Sequence, residues 1–297
     1  MKLLITGGTG LIGNHFIQTY TEHHYTVVTR SQEKARQQLP DSVILLDSLS
    51  ELDNLDAFDG VINLAGEPIV DKRWTDKQKR IICDSRWDVT QHLVDLFRES
   101  KHPPSVFLSG SAIGLYGDHG DFDITERDIA TQHDFATSVC QQWEATAKQA
   151  EPYTRLVYLR TGIVLDRKGG ALAKMLTPFK LCLGGRIADG RQFMSWIHIN
   201  DMVKAMAFLL NTKNINGAVN MVAPKPVSNQ QFTNELASAL NRMAILPMPG
   251  VVLKLLLGES SALLLGSQRV QPTQLLAASF EYTFPDLKIA LSDLLKQ

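Results

Sequence analysis

The segment Thr6-Gly7-Gly8-Thr9-Gly10-Leu11-Ile12-Gly13 constrains this chain more than any other part of it. It follows an apolar run, Lys2 to Thr6, that reads as a buried strand, and it opens an amphipathic stretch, Gly10 to Glu22, that reads as a helix. Gly7 lets the chain turn sharply, Gly10 presents no side chain to a phosphate, and Gly13 lets the helix pack close to the strand. The first turn of the helix then offers unpaired N–H groups to negative charge. A pyrophosphate, and hence a dinucleotide, is the ligand this arrangement suits. The flanking strand and helix weigh against a glycine-rich turn that holds nothing.

Up to about residue 165, short aliphatic runs alternate with longer amphipathic ones, the pattern of a parallel sheet with crossover helices. Strands are expected at Lys2–Thr6, Thr26–Arg30, Val43–Leu46, Gly60–Leu64, Ser105–Ser109 and Thr154–Leu159. Helices are expected at Gly10–Glu22, Gln32–Leu39, Thr75–Ser100 and Phe135–Ala150, the third with Thr75 and Gln78 as a capping box. Beyond 165 the alternation loosens at Gly169-Gly170, Gly184-Gly185 and Gly190, then resumes with a strand-like run at Ser195–Ile199, a helix at Asn200–Leu210 and a strand at Ala218–Val222. The fold class is therefore α/β, a doubly wound parallel sheet of Rossmann type with a smaller C-terminal α+β lobe. Its expected division is a dinucleotide-binding domain, 1–165, and a substrate lobe, 166–297, with elements at about 195–222 returning to the sheet. The 297 residues suffice for about two domains at ~150 each.

Composition excludes several classes. Thirty basic residues are balanced by 31 acidic ones, for a net charge of −1, which speaks against a nucleic-acid partner. Val251 to Leu265 is broken by Lys254, Gly258 and Glu259 and falls short of the ~20 apolar residues of a membrane span. Cys83, Cys140 and Cys182 are odd in number and far apart, so they fit neither a disulfide framework nor a metal site, and they suggest a reducing cytoplasm.

Choice of dinucleotide is read at the end of the second strand, where an acid would bind the ribose of NAD and an arginine the 2′-phosphate of NADP. The chain has Val28-Thr29-Arg30-Ser31 there, with no acid. A guanidinium suits a phosphate through paired, charge-assisted hydrogen bonds, so NADP(H) is the expected cofactor. A solvated surface arginine is the other reading of Arg30. Asp47, closing the third strand, falls near the adenine edge or is simply a turn residue.

The spacing Gly-x-x-Gly-x-x-Gly, with Asn63-Leu64-Ala65-Gly66 after the fourth strand, resembles the extended short-chain dehydrogenase/reductase superfamily. In that superfamily a tyrosine four residues before a lysine moves the proton, the lysine helping a phenol of pKa ~10 to ionise. The six tyrosines here are followed at that distance by His24, Thr29, Gly120, Val157, Gly162 and Asp286. None is lysine, and by resemblance around Glu144 the pair's places fall on Ala136 and Cys140. Ser109-Gly110-Ser111 resembles the superfamily's serine position, and Leu115-Tyr116-Gly117 its Val-Tyr-Gly.

Longer phrases narrow the resemblance to an atypical, epimerase-like (YfcH-like) branch. They include Leu64-Ala65-Gly66-Glu67-Pro68-Ile69, Arg73-Trp74, Ser85-Arg86, Trp143-Glu144, Arg160-Thr161-Gly162-Ile163-Val164-Leu165, Ser195-Trp196-Ile197-His198-Ile199 and Gln268-Arg269-Val270-Gln271-Pro272. The resemblance implies NADP(H) held by Thr6, Gly7, Gly10, Leu11, Ile12 and Gly13, by Thr29 and Arg30, and by Leu64, Ala65 and Gly66. It adds Arg86 on the long helix and Val164 near the nicotinamide end, and it allows a homodimer through helices 75–100 and 135–150. Arg242-Met243 and Ala278-Ser279-Phe280 depart from the branch's Arg-Pro and Gly-Phe, which puts turn geometry in the C-terminal lobe in question. Ser111, Tyr116 and His198 are the candidate catalytic residues; Tyr116 reads equally as a structural ring, and His198, in a strand-like run, more readily as a structural histidine. Two functions follow: an NADP(H)-dependent oxidoreductase or epimerase acting on a small molecule, or a dinucleotide-binding regulator or scaffold without turnover.

Overall fold

The computed structural model describes residues 1–130 and 134–296. Seven parallel strands form its central sheet: β1 (Lys2–Thr6), β2 (His24–Val28), β3 (Ile44–Leu46), β4 (Gly60–Asn63), β5 (Val106–Ala112), β7 (Arg155–Thr161) and β11 (Gly217–Met221). Their order across the sheet is β3-β2-β1-β4-β5-β7-β11. The chain winds outward one way from β1 and the other way from β4. The crevice between the carboxyl ends of those two strands is the switch point at which such sheets bind ligands.

Both faces are covered, which is why the strands read as continuous apolar runs. Leu3, Ile5, Ile62, Leu108, Val157 and Leu159 bury one face against α1 (Leu11–Thr19) and α6 (Ile199–Asn211), with α2 (Gln32–Arg36) beyond them. Leu4, Val61, Phe107 and Leu156 bury the other against α3 (Asp76–Glu99) and α4 (Phe135–Lys148). A second core, around Trp196, Phe179 and Phe232, holds the C-terminal lobe, where α5 (Gly170–Lys180), α7 (Asn229–Ala239) and α11 (Leu287–Leu295) meet. The lobe also carries α8 (Gly250–Leu257), α9 (Ala262–Leu265) and α10 (Thr273–Ala277).

Three short ribbons join the lobe to the sheet: β8 (Ile163–Leu165) with β10 (Trp196–His198), β9 (Phe193–Met194) with β12 (Val227–Ser228), and β6 (Asp123–Ile124) with β13 (Arg269–Val270). Of the two strand-like segments expected to return to the main sheet, Gly217–Met221 does so, along β7. Among the described residues, Trp196–His198 instead pairs with β8, outside it. The second strand lies two residues earlier than Thr26–Arg30, because His24 N–H already bonds to Met1 O at 2.9 Å. That shift leaves Arg30 beyond the strand. The fifth strand runs past Ser109 because Gly110 and Ser111 keep register with Leu159 and Arg160 of β7. Among the described residues no helix is long and apolar enough to cross a membrane.

Candidate functional site

Capping separates α1 from the other long helices on the sheet. The Thr75 hydroxyl accepts from Gln78 N at 3.2 Å, the Asp134 carboxylate from Thr137 N at 2.8 Å, and His198 Nδ1 from Asn200 N at 3.0 Å, starting α3, α4 and α6. At α1 the N-cap is Gly10, with no side chain to do this. Its first intrahelical bond is Asn14 N to Gly10 O, so the N–H groups of Leu11, Ile12 and Gly13 lie ahead of the ladder, at the positive end of the helix.

The glycines are required by contact. Gly7 has φ +72°, and a Cβ there would stand 2.5 Å from Leu64 O, so the turn rests on the chain leaving β4. A Cβ on Gly13 would stand 2.6 Å from Gly7 O. On Gly10 it would meet only Gly7 O, at 3.2 Å, with open space elsewhere. Gly10 is thus the one of the three where an added side chain would point largely into open space.

Thr6 does not face this cradle. Its hydroxyl donates to Asn63 Oδ1 at 2.6 Å, Asn63 donates to the Thr90 hydroxyl at 2.8 Å, and the Trp143 indole donates to the same hydroxyl at 2.9 Å. The chain of bonds fixes the ends of β1 and β4 against α3 and α4. Leu64 and Ala65 are half-buried at the switch point, and Leu11 packs beneath Gly169, where a Cβ would come within 2.8 Å of it. Val164, on β8 beside Ile197, joins the same core.

At the adenosine end, Thr29 N–H bonds to Leu46 O, and its hydroxyl accepts from Ser31 N. Arg30 follows it on the surface, close enough for its charge to help hold the Glu67 carboxyl below its usual range, although the Lys72 ammonium contributes more. Asp47 is exposed, and its N–H is taken by Glu51. Arg86 donates to Ile82 O at 2.9 Å and to Glu67 O at 3.0 Å, with its guanidinium 5.2 Å from the centre of the Trp143 ring. Burial lowers its pKa. Gly66 lies directly over it: a Cβ there would be 2.9 Å from the guanidinium carbon. The Arg86 fork therefore props the Gly66-Glu67 backbone.

The other half of the sheet edge is closed by polar side chains. The Ser111 hydroxyl donates to Glu144 Oε1 at 2.6 Å. Arg160 grips both oxygens of Glu144 at 2.9 Å and donates also to the Tyr116 hydroxyl, at 2.9 Å. Tyr116 in turn donates to Asn220 Oδ1 at 2.7 Å. Its ring is 0% exposed, and burial pushes its pKa up to about 12. His198 is 1% exposed, stacked on Phe284 at 3.8 Å, with Nδ1 occupied by the cap of α6. The Asp293 carboxylate lies 3.4 Å from its Nε2 without hydrogen-bond geometry. Burial lowers the His198 pKa in spite of Asp201 and Asp293. The sequence grouped Ser111, Tyr116 and His198 as one candidate set; Ser111 and Tyr116 do share a network, through Glu144 and Arg160, whereas His198 begins a helix of the opposite face. Ala136 and Cys140 lie on α4, and the Cys140 thiol is buried, its pKa raised to about 12.

Thr90, Trp143, Glu144, Arg160 and Asn220 have no role in the sequence reading, and Asn63 enters it only as part of the Asn63-Leu64-Ala65-Gly66 motif. Trp143-Glu144 and Arg160 stood in distinctive phrases, and this was the available signal. What it lacked was the pairing of Ser111 with Arg160 across two strands.

The sequence matches the NAD dependent epimerase/dehydratase family over residues 3–221. The chain belongs to that family. A second segment, 248–294, matches a domain of unknown function, DUF1731. Relatives include an epimerase family protein of Staphylococcus saprophyticus, 38% identical over 294 residues and covering 98% of each chain, and epimerase family protein SDR39U1 of Mus musculus, 36% identical over 298 residues and 99% of each. The crystal structure of human SDR39U1 with NADPH superposes with a TM-score of 0.91 at 32% identity, over 99% of both chains. UDP-glucuronic acid 4-epimerase of Bacillus cereus, crystallised with UDP-glucuronic acid and NAD, shares the fold at a TM-score of 0.78 and 18% identity, over 99% of both chains. The epimerase family's dinucleotide fold and the unassigned C-terminal segment meet in this chain along the edge of one sheet.

Proposed function

We propose that this protein binds NADP(H) at the β1–β4 switch point and acts there as an oxidoreductase or epimerase-like enzyme on a small molecule. The observation that carries the reading is the uncapped N-terminus of α1 above a glycine that leaves space only for a ligand. Leu11, Ile12 and Gly13 N–H groups would hold the pyrophosphate, Thr29 and Arg30 the adenosine 2′-phosphate, and Leu64, Ala65 and Val164 the path toward the nicotinamide. The human relative crystallised with NADPH supports the choice of cofactor.

A bound nicotinamide supplies a hydride donor or acceptor. The chain's part is to position the substrate and exclude water. Ser111 holds its proton toward Glu144, so its oxygen lone pairs are what it can offer a substrate hydroxyl. Tyr116 and His198 have no share in proton transfer in this reading: both are sealed, and the polar contacts of each serve the fold. Proton exchange is then with water at the cleft. The same burial favours a second reading, a regulator that binds NADP(H) without consuming it.

The test is a calorimetric titration of NADPH and NADH, followed by a carbonyl and alcohol panel. Gly10→Val should weaken both dinucleotides by about 100-fold or more, the loss of two charge-assisted hydrogen bonds at ~1.5–3 kcal/mol each, against a cost to folding of only about 1 kcal/mol from the poorer N-cap. Arg30→Ala should weaken NADPH by roughly 10- to 100-fold and leave NADH unchanged. Absence of binding to the wild-type protein would refute the cofactor assignment. Tight binding with no turnover on the panel selects the regulator.

A further inference from the structure

A cavity of about 260 Å³ opens where the sheet edge meets the C-terminal lobe. One wall is the 3-10 turn Ile113–Tyr116, which directly follows β5, together with Ala136 in the first turn of α4. The other wall is Lys254 of α8 and the run from Ser261 to Gln268. The first wall lies in the part of the chain that matches the epimerase family, the second in the part that matches the domain of unknown function. The cavity stands beyond the carboxyl ends of the strands, where an open α/β sheet receives its ligands.

We propose that this cavity is the substrate compartment, that the 248–294 segment exists to size it, and that its ligand is a small hydroxyl-rich molecule of the polyol class, not a nucleotide sugar. The inference rests on the NADP(H) reading. Three features of the lining carry it. The first is volume, which falls below the ~300–1,000 Å³ of clefts that enclose drug-sized ligands. The second is charge: among the described lining residues Lys254 is the sole cationic side chain, with the Asp134 carboxylate on the same lining, so no cluster of basic groups is there to take a diphosphate.

The third feature is the direction of the hydrogen bonds. Gln268 spends its amide N–H groups on Ile113 O and Gly117 O, both at 3.0 Å, which leaves its carbonyl oxygen as the part of the amide still able to bind a ligand. The Ser261 hydroxyl donates to Gly258 O at 2.6 Å and keeps only lone pairs to offer. Asp134 adds acceptor capacity of its own, being a carboxylate. The described lining therefore asks for donors, and Lys254 supplies a strong donor in return. Ala136, Leu263 and Leu265 give the carbon skeleton an apolar floor. A compact chain or ring bearing several hydroxyl groups satisfies all three features at once.

The experiment is ligand-detected saturation-transfer NMR on the full chain saturated with NADPH. The probes are glycerol, erythritol, xylitol and myo-inositol on one side, UDP-glucose and malate on the other. At least one polyol should show saturation transfer, and the signal should disappear in Ala262→Trp, which fills the cavity from the exposed side of α9. NADPH affinity should stay within about twofold of wild type in that variant. Binding of UDP-glucose or malate, silence from every polyol, or a polyol signal that survives Ala262→Trp each overturns the proposal. Failure of the wild-type protein to bind NADPH would instead strike the cofactor reading, and is scored separately.

Discussion

The two halves of the sheet's carboxyl edge are built on opposite plans. Around β1, β2 and β4 the edge is made by removing side chains: Gly7 and Gly13 bring backbones together, and Gly10 leaves a helix end uncapped. Around β5, β7 and β11 it is made by adding them, with Ser111, Glu144, Arg160, Tyr116 and Asn220 each satisfied by the next. The open half is suited to receive a charged ligand because, among the described residues, no side chain caps the first-turn N–H groups of α1. The closed half is suited to hold strands and helices together, and it withdraws from solvent the phenol that sequence motifs suggested for catalysis. Polar residues near an active edge are thus no guide to chemistry until their partners are known.

The sharpest way to break this contrast is Glu144→Ala. It would strand the Arg160 guanidinium in a site where both partners are nearly buried, at 10% and 13% side-chain exposure. Removing one member of such a pair costs about 3–5 kcal/mol, a large share of the ~5–15 kcal/mol that stabilises an ordinary domain. Urea unfolding should show the loss, while the folded fraction still binds NADPH because the glycine half is untouched. Wild-type stability in this variant would mean that the network is peripheral.

Tyr116→Phe should have a smaller effect of the same kind. The ring stays, including its contact with Arg160 at 5.1 Å, but Asn220 loses its donor and Arg160 an acceptor. A loss of ~1–3 kcal/mol is expected, with the rate of any NADPH-linked turnover unchanged. A large fall in rate at unaltered stability would return Tyr116 to the catalytic machinery and erase the distinction between the halves.

The difference in plan also explains what could be read from the chain. The glycine turn, the parallel strands and the long helices were legible because they depend on local spacing: Gly7, Gly10 and Gly13 lie within one turn of chain, and Thr75 caps the helix three residues from Gln78. Arg30 was placed less well, since β2 ends at Val28 and leaves it beyond the strand it was expected to close. The closed network was not legible, since Tyr116 meets Asn220 across 104 positions and Ser111 meets Glu144 across 33. The Gln268 contacts that shape the cavity were equally hidden, because they join the last quarter of the chain to the turn after β5. His198 shows a third case: its residue type promised proton chemistry, and its position at the start of α6, beneath Phe284, made it a cap.

That histidine can be used to test burial directly. Desolvation holds its folded pKa below the ordinary value of about 6.5, although the Asp201, Asp293 and Asp166 carboxylates pull the other way and His15 adds to the depression. The unfolded state then binds the proton more readily than the native one. The stabilisation is fully present above about pH 6.5 and is lost as the pH falls toward the lowered value. His198→Gln, which keeps an acceptor for Asn200 N–H, should flatten the decline in stability between about pH 7 and pH 5. His23, also depressed by burial, leaves a residual slope. An unchanged slope would place the titration elsewhere and weaken the view of His198 as a buried neutral cap.

The smallest expected effect reverses the glycine logic of the cofactor cradle. Ser279 follows α10 with φ +58°, its N–H bonding to Leu276 O while Phe280 N–H reaches Leu275 O, the double closure that helices use with glycine in the left-handed position. The backbone angle here strains a serine where glycine would be at ease. Ser279→Gly relieves the side-chain clash but gives the unfolded chain more freedom, so the two terms oppose. The strain of a left-handed non-glycine residue, ~1–2 kcal/mol, exceeds the ~0.5–1 kcal/mol of added chain entropy, leaving a gain on the order of 0.5–1 kcal/mol. A rise of a few degrees in melting temperature, with NADPH affinity unaltered, would mark this turn as one where glycine is favoured for backbone strain alone, in contrast to Gly10, whose open side is the proposed place of the pyrophosphate.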